Sequence, residues 1–218
     1  TEHVEVTVQK VGGEARTVKY AEFLLPGVLL MTLFVTAIFS IPTIVLYAKE
    51  TGILRRYLAT PLSGGQYFLG SALGMAFLNG AQIVSLWALG WLALGVRLPL
   101  LRPESLAFLF LSFATFMALG FLISALSRTH QGAMALANLL NLPLQFLGGL
   151  YFPITSFPKA LRIIMAVNPL THLAEGWRAA LGLSSSSFPL WANFLVPFLW
   201  LLGSAALAVK RMRFGEEG

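Results

Sequence analysis

Cysteine and aspartate are both absent from the 218-residue chain, and histidine occurs only three times. Without cysteine the chain can form no disulfide, carry no thiol nucleophile and offer no thiolate ligand to a metal. Without aspartate, no Asp side chain can orient a histidine for general-base catalysis. Neither His-Glu-x-x-His nor Gly-x-Ser-x-Gly occurs. These absences argue against a hydrolytic enzyme.

Charge is also scarce. Charged residues make up 11% of the chain, whereas an average soluble domain has about 25%. They are gathered into short clusters that leave five long stretches without Asp, Glu, Lys or Arg. These stretches are 23–48, 57–96, 105–127, 129–158 and 179–209. Each is long enough to cross the roughly 30 Å hydrocarbon core of a bilayer as a helix, so the sequence predicts an all-α polytopic membrane protein.

Apolar runs, prolines and glycines indicate one transmembrane domain at 21–214. The predicted spans lie at about 22–48, 66–94, 105–126, 131–150 and 189–209. A short helix at about 50–61 carries apolar side chains on one face and arginines on the other, which is typical of a helix lying on the membrane surface. Residues 1–20 alternate polar and apolar side chains around a Gly-Gly pair, which predicts a β-hairpin at the end of an extracellular segment.

The segment at about 153–182 is apolar in part but carries too many charges to cross a membrane freely. Asn168-Pro169 breaks it, because the residue before a proline avoids the helical conformation. We therefore expect two short helices that enter and leave the extracellular edge of the membrane as a re-entrant pair. A plain surface helix is the alternative. Glu175 and Arg178 are three residues apart and could pair on one helical face.

Two predicted spans carry polar side chains at helical spacing. The stripes consist of Thr32, Thr36 and Ser40 in the first span and Asn138, Asn141 and Gln145 in the fourth. Such groups often bond across helices or back to their own helix. Amides are costly to bury without partners, so the second stripe also fits the wall of a polar cavity or a seam between subunits.

The predicted spans lack acids and bases, whereas ion-coupled carriers usually bind their ion through such groups. The chain also lacks the Gly-x-x-x-x-Gly-Lys-Ser/Thr phosphate loop, so energy for uphill transport would have to come from elsewhere. The net charge of +6 is spread over scattered clusters. That arrangement favours lipid headgroups or a cytoplasmic partner over nucleic acid.

Four segments in order resemble the ABC-2 type permease family, the membrane subunits of ATP-binding cassette exporters. They are Phe23-Leu24-Leu25-Pro26-Gly27, the run that starts Lys49-Glu50-Thr51-Gly52 and ends at Ser63, Gly148-Gly149-Leu150-Tyr151-Phe152-Pro153-Ile154, and Asn168-Pro169-Leu170-Thr171-His172 with Arg178 downstream. The resemblance covers about 22–213. The family has six spans with both termini in the cytoplasm, which implies that this chain is N-terminally truncated and lacks a first span.

The resemblance implies a mechanism. The helix at 50–61 would be the coupling helix that meets a cytoplasmic ATP-binding cassette subunit, and that subunit would hold ATP and magnesium while this chain holds no cofactor. The implied coupling residues are Glu50, Gly52, Arg55 and Arg56. Two membrane subunits would pair, as a homodimer or a heterodimer, and the two polar stripes would line the pathway between them.

From the residues and the resemblance together, we expect the permease subunit of an ATP-driven exporter in a prokaryotic plasma membrane. Two other classes remain open: a secondary carrier or channel without an ATPase partner, and a membrane scaffold that transports nothing. A drug, a lipid, a glycan precursor and a peptide all fit a mostly apolar pathway lined by amides.

Overall fold

A computed structural model describes residues 5–6, 18–52, 64–96 and 98–213. Its secondary structure is overwhelmingly helical. The helices are α1 Tyr20–Glu50, α2 Gly64–Leu94, α3 Pro103–Leu126, α4 His130–Phe146, α5 Lys159–Met165, α6 Pro169–Ala180 and α7 Leu190–Arg213, with a 3₁₀ turn at Ile154–Ser156 between α4 and α5. The predicted all-α character of the domain at 21–214 is confirmed for its described residues.

Two short strands precede α1. Strand β1, Glu5–Val6, pairs antiparallel with β2, Val18–Lys19, and Val6 lies opposite Val18. The residues that would complete a hairpin between them lie outside the described part of the chain. The β-hairpin therefore stays a prediction.

Among the described residues, four helices are long and apolar enough to cross a membrane. They are α1, α3, residues Leu73–Ala93 of α2 and residues Leu190–Arg211 of α7. Each corresponds to a predicted span, because a run of some 20 apolar residues without charge is stable as a helix in lipid, where every main-chain group must be bonded within the segment.

The fourth predicted span, at about 131–150, differs from the structure. Helix α4 has 17 residues and ends at Phe146, whereas the sequence predicted a span to residue 150. A turn follows, in which Gly149 has a φ of +63°. A non-glycine residue adopts this left-handed conformation only at a cost, so the glycine pair shortens the helix below the roughly 20 residues of an ordinary span.

Helix α1 occupies the centre of the fold and packs against α2, α3 and α4. Close approach to α3 depends on Gly120, because a Cβ atom there would lie 2.6 Å from the Ala37 carbonyl oxygen. On α4, the fully buried Ala133 and Ala137 belong to the same apolar core. Helices α3 and α7 form the other large contact, where the Thr115 hydroxyl donates to the Pro197 carbonyl at 3.3 Å.

The predicted break at Asn168-Pro169 is confirmed. Helix α5 ends at Met165 and α6 begins at Pro169, with the Asn168 side chain accepting a hydrogen bond from the main-chain N–H of Leu170 at 3.0 Å. Asparagine is a favoured N-cap, and a proline at the first helical position has no N–H to leave unpaired.

Candidate functional site

The first predicted stripe lies on α1 and is half-buried. The Thr32 hydroxyl donates to the Val28 carbonyl at 2.9 Å, within its own helix. The Thr36 hydroxyl is directed to the Gln82 side-chain oxygen of α2, at a long 3.4 Å. Ser40 is half-buried one turn further on. The Thr32 hydroxyl is therefore bonded within its own helix, whereas the Thr36 hydroxyl makes a polar contact between α1 and α2.

The second stripe runs along α4 from the surface to the interior. Asn138 is exposed, Asn141 is half-buried and Gln145 is buried. The Gln145 amide nitrogen donates to the Asn141 side-chain oxygen. The Gln145 oxygen accepts from the Tyr151 hydroxyl at 3.3 Å. This network extends the predicted stripe by one residue that the spacing did not reveal, because Tyr151 lies beyond the end of the helix.

Tyr151 also links the second stripe to α1. Its hydroxyl lies 3.0 Å from the sulfur of Met31, one residue before Thr32 on α1. Its main-chain carbonyl accepts from the Tyr20 hydroxyl at 3.3 Å. The Gln145 end of the second stripe is therefore connected through Tyr151 to the first half of α1.

A buried arginine fixes this end of the two helices. The Arg178 side chain on α6 is fully buried, and its guanidinium donates to the carbonyls of Phe23, Gly149 and Leu150 at 3.2, 2.8 and 2.7 Å. It also stacks 3.8 Å from the centre of the Phe23 ring. One charged side chain thus links the start of α1 to the turn after α4 with charge-assisted bonds, which are stronger than neutral ones.

Burial lowers the pKa of Arg178 to about 10, and the nearby Glu175 carboxylate opposes that change. The guanidinium therefore stays protonated at neutral pH and keeps its donors. The Glu175 carboxylate accepts from the main-chain N–H of Ser187 at 2.7 Å. In addition to acting on Arg178, it thus holds the loop between α6 and α7.

Gly27 makes the arginine contact possible. A Cβ atom at this position would lie 2.4 Å from the Leu150 carbonyl oxygen and 3.0 Å from a guanidinium nitrogen of Arg178. Only glycine leaves α1 close enough to the turn after α4. The Pro-Gly pair of the sequence motif therefore has a packing function in the structure.

Asn168 and Thr171 bond two further carbonyls at the end of α4. The Asn168 amide donates to the Leu144 carbonyl at 2.8 Å, and the Thr171 hydroxyl donates to the Leu147 carbonyl at 2.9 Å. The last carbonyls of a helix have no partners within it. Side chains of α6 thus replace the water that an exposed helix end would use.

His172 of α6 faces α7. Its ring lies with one nitrogen 3.0 Å from the Asn193 side-chain oxygen and the other 2.8 Å from the Ala166 carbonyl. The Asn193 amide donates to the Ser186 hydroxyl at 2.7 Å. His172 and Asn193 are buried, so these contacts form a structural network between α6 and α7.

The predicted coupling residues are only partly described. Arg55 and Arg56 lie outside the described residues, as does most of the helix predicted at 50–61. Glu50 ends α1, and its carboxylate accepts from the main-chain N–H of His130 on α4 at 2.8 Å. Gly52 has a φ of +67° in the turn after α1.

The described residues contain no group of three or more His, Cys, Asp or Glu side chains that could hold a metal. Their polar groups are mainly amides and hydroxyls within and between long apolar helices. With four helices able to span a bilayer, the chain is a multi-pass integral membrane protein.

Comparison with known proteins gives the family. The sequence matches the ABC-2 type transporter family over residues 6–181, and the chain belongs to that family. It is 33% identical over 160 residues to a putative transport permease ycf38 of Cyanophora paradoxa, covering 72% of this chain and 54% of the relative. It is 26% identical over 201 residues to a probable multidrug ABC transporter permease YbhR of Escherichia coli strain K12, covering 89% of this chain and 53% of the relative.

A third relative, an ABC transporter G family member 20 of Dictyostelium discoideum, is 28% identical over 195 residues, covering 88% of this chain and 26% of the relative. The chain thus spans about half the length of the two permeases and about a quarter of the third protein. The predicted family is confirmed.

Proposed function

We propose that this chain is the permease subunit of an ATP-driven exporter, that it pairs with a second permease subunit, and that a cytoplasmic ATP-binding cassette subunit drives it. The observation that carries the proposal is the family match across 6–181, in a chain whose sequence has no phosphate loop of its own. The name of the Escherichia coli relative adds support for a drug-like cargo. We place the protein in a prokaryotic plasma membrane.

In this proposal α4 also crosses the membrane, which brings the number of crossings in this chain to five. Seventeen residues at about 1.5 Å each give about 25 Å, somewhat less than the hydrocarbon thickness. The shortfall is tolerable because α6 bonds the carbonyls at the end of the helix through Asn168, Thr171 and Arg178. Irregular backbone at membrane depth is tolerated where it is buried in protein.

Helices α5 and α6 are the re-entrant pair. The Trp200 indole donates to the Val167 carbonyl in the turn between them at 2.9 Å. Trp200 lies ten residues after the start of α7 at Leu190, which is about 15 Å along that helix. Because the turn between α5 and α6 is bonded about 15 Å from the start of α7, we infer that this segment enters the membrane well below its surface.

The pathway in this proposal follows the two polar stripes. Thr32, Thr36 and Ser40 on α1 and Asn138, Asn141 and Gln145 on α4 would contact cargo, with the second subunit closing the opposite side. The coupling segment would lie in the cytoplasm with the 127–130 turn and the end of α7. Arg55 and Arg56 would contact the ATPase subunit there.

The test reverses the coupling arginines. The double variant Arg55→Glu with Arg56→Glu should insert into the membrane normally. It should no longer stimulate the ATP hydrolysis that the copurified ATPase subunit carries out. Lys210→Glu with Arg211→Glu is the matched control, because it makes the same charge change at the exposed end of α7 on the same proposed side. Unchanged stimulation in the first variant would refute the docking role, and failure of the wild type to copurify with any nucleotide-binding subunit would favour a carrier or channel.

A further inference from the structure

Glu50 connects two helices that are distant in sequence. It is the last residue of α1, and its carboxylate accepts from the N–H of His130, the first residue of α4, at 2.8 Å. The first N–H groups of a helix lack partners within it, and negative charge is favoured there by the helix dipole. The Thr129 hydroxyl accepts from the Gly132 N–H at 3.2 Å. The start of α4 is therefore capped jointly by its own turn and by α1.

The same two helices are joined along their length and at the other end. Ala133 and Ala137 of α4 are fully buried in the core around α1, and small side chains let the two backbones approach. At the opposite end Arg178 bonds Phe23 of α1 and Gly149 just after α4. Helices attached at both ends and in the middle are expected to move as one body.

The chain turns immediately after Glu50. The Thr51 N–H donates to the Tyr47 carbonyl at 3.0 Å, and Gly52 has a φ of +67°, the usual glycine termination of a helix. A force on the segment that follows Gly52 would therefore enter α1 at the residue that also holds α4.

We propose that Glu50 is a positioning residue that transmits displacement of the segment after α1 to α4. This inference rests on the proposed function, in which that segment meets the ATPase subunit. It gives Glu50 a different role from the one the family resemblance implied, because its described hydrogen bond goes to α4 within the same chain. The displacement would reach the helix that carries Asn138, Asn141 and Gln145, and so alter the wall of the pathway.

The experiment measures hydrogen exchange in the first two turns of α4, at residues 130–137, in the complex with the copurified ATPase subunit, with and without ATP and magnesium. In Glu50→Ala we expect the nucleotide-dependent change in exchange to shrink about tenfold or more, a typical size for a lost coupling interaction. Glu50→Gln should keep much of the change, because an amide oxygen still accepts the bond. Arg128→Ala is the matched control, since Arg128 is exposed in the same turn, and it should respond as wild type does.

Capture of the ATPase subunit separates this inference from the proposed function. We expect Glu50→Ala to capture that subunit as well as wild type does. If Glu50→Ala keeps the full nucleotide-dependent change in hydrogen exchange, Glu50 does not transmit displacement to α4. The same conclusion follows if the variant no longer captures the ATPase subunit. In both cases the exporter proposal still stands. If the wild type captures no nucleotide-binding subunit, the proposed function fails and this inference fails with it.

Discussion

The guanidinium of Arg178 bonds three main-chain carbonyls in two different parts of the chain while resting on the Phe23 ring. A buried charge is costly unless it is well bonded, and two of the partners here, the carbonyls of Gly149 and Leu150, lie in a turn where no helix bonds them. The contact also requires the absence of a side chain at Gly27. The sequence motif contained both residues, but spacing along the chain could not show that they meet.

Replacing Arg178 with methionine should destabilise the protein strongly. The turn carbonyls of Gly149 and Leu150 would lose their buried donor, and each unsatisfied group costs about 1–3 kcal/mol. We expect a loss of about 3 kcal/mol or more, which corresponds to a fall in melting temperature of about 6–12 °C for a chain of this size. Thermal unfolding of the purified protein in detergent measures this fall in melting temperature.

Arg162→Met is the control for that substitution. Arg162 also bonds main-chain carbonyls, those of Phe157 and Thr155, but its side chain is only half-buried. Water can replace a donor there, so the melting temperature should change little. An equal loss in the two variants would contradict the role assigned to burial.

At the scale of elements, the junction between the end of α4 and the start of α6 shows what sequence can predict. The break at Asn168-Pro169 followed from the restriction that proline places on the residue before it. The early end of α4 could not be predicted in this way, because residues 147–150 continue the apolar run of the helix. The feature that marks the turn is the positive φ of Gly149. Tyr151 was missed for the same reason, since helical spacing does not extend beyond a helix end.

The long apolar helices were the most predictable elements. Helix α1 contains two prolines and still runs from Tyr20 to Glu50, and the absence of charge indicated its membrane character without any packing information. The contacts of the predicted polar stripes were not predictable. Whether Thr32 bonds Val28 of its own helix or a group on another helix depends on rotamers and neighbours, which periodicity does not encode.

Asn168→Ala tests the junction as an element. The variant removes the N-cap of α6 and the donor to the Leu144 carbonyl together. A lost N-cap alone costs about 1 kcal/mol, so we expect faster hydrogen exchange at the end of α4 and the start of α6. Lys159→Ala, at an exposed position of α5, should leave exchange there unchanged. Faster exchange confined to α5 would show that α6 does not hold the end of α4.

At the scale of the whole molecule, helix surfaces differ in chemistry. Helix α4 exposes the amide of Asn138 beside the apolar Leu139 and Leu142. Helices α3 and α7 form an apolar cleft of about 590 Å³. Its lining residues are Ala107, Phe110, Leu111, Trp191, Phe194, Leu195 and Phe198. Because apolar and aromatic surfaces suit lipid while exposed amides do not, we expect α3 and α7 to face the bilayer and α4 to face water or a second subunit.

Cysteine labelling distinguishes a wet pathway from a dry scaffold, and the absence of native cysteine makes each introduced thiol unique. Asn138→Cys and Asn141→Cys should react with a water-soluble maleimide in the membrane-embedded protein. Leu199→Cys and Leu202→Cys, exposed on α7, should not react until detergent removes the lipid, because the thiolate that maleimide requires does not form in hydrocarbon. If all four positions stay unreactive in the membrane, the amides of α4 form a dry seam, and the protein would be a scaffold despite its family. If the two α4 positions react and bound cargo slows their labelling by maleimide, Asn138 and Asn141 line the route that cargo follows.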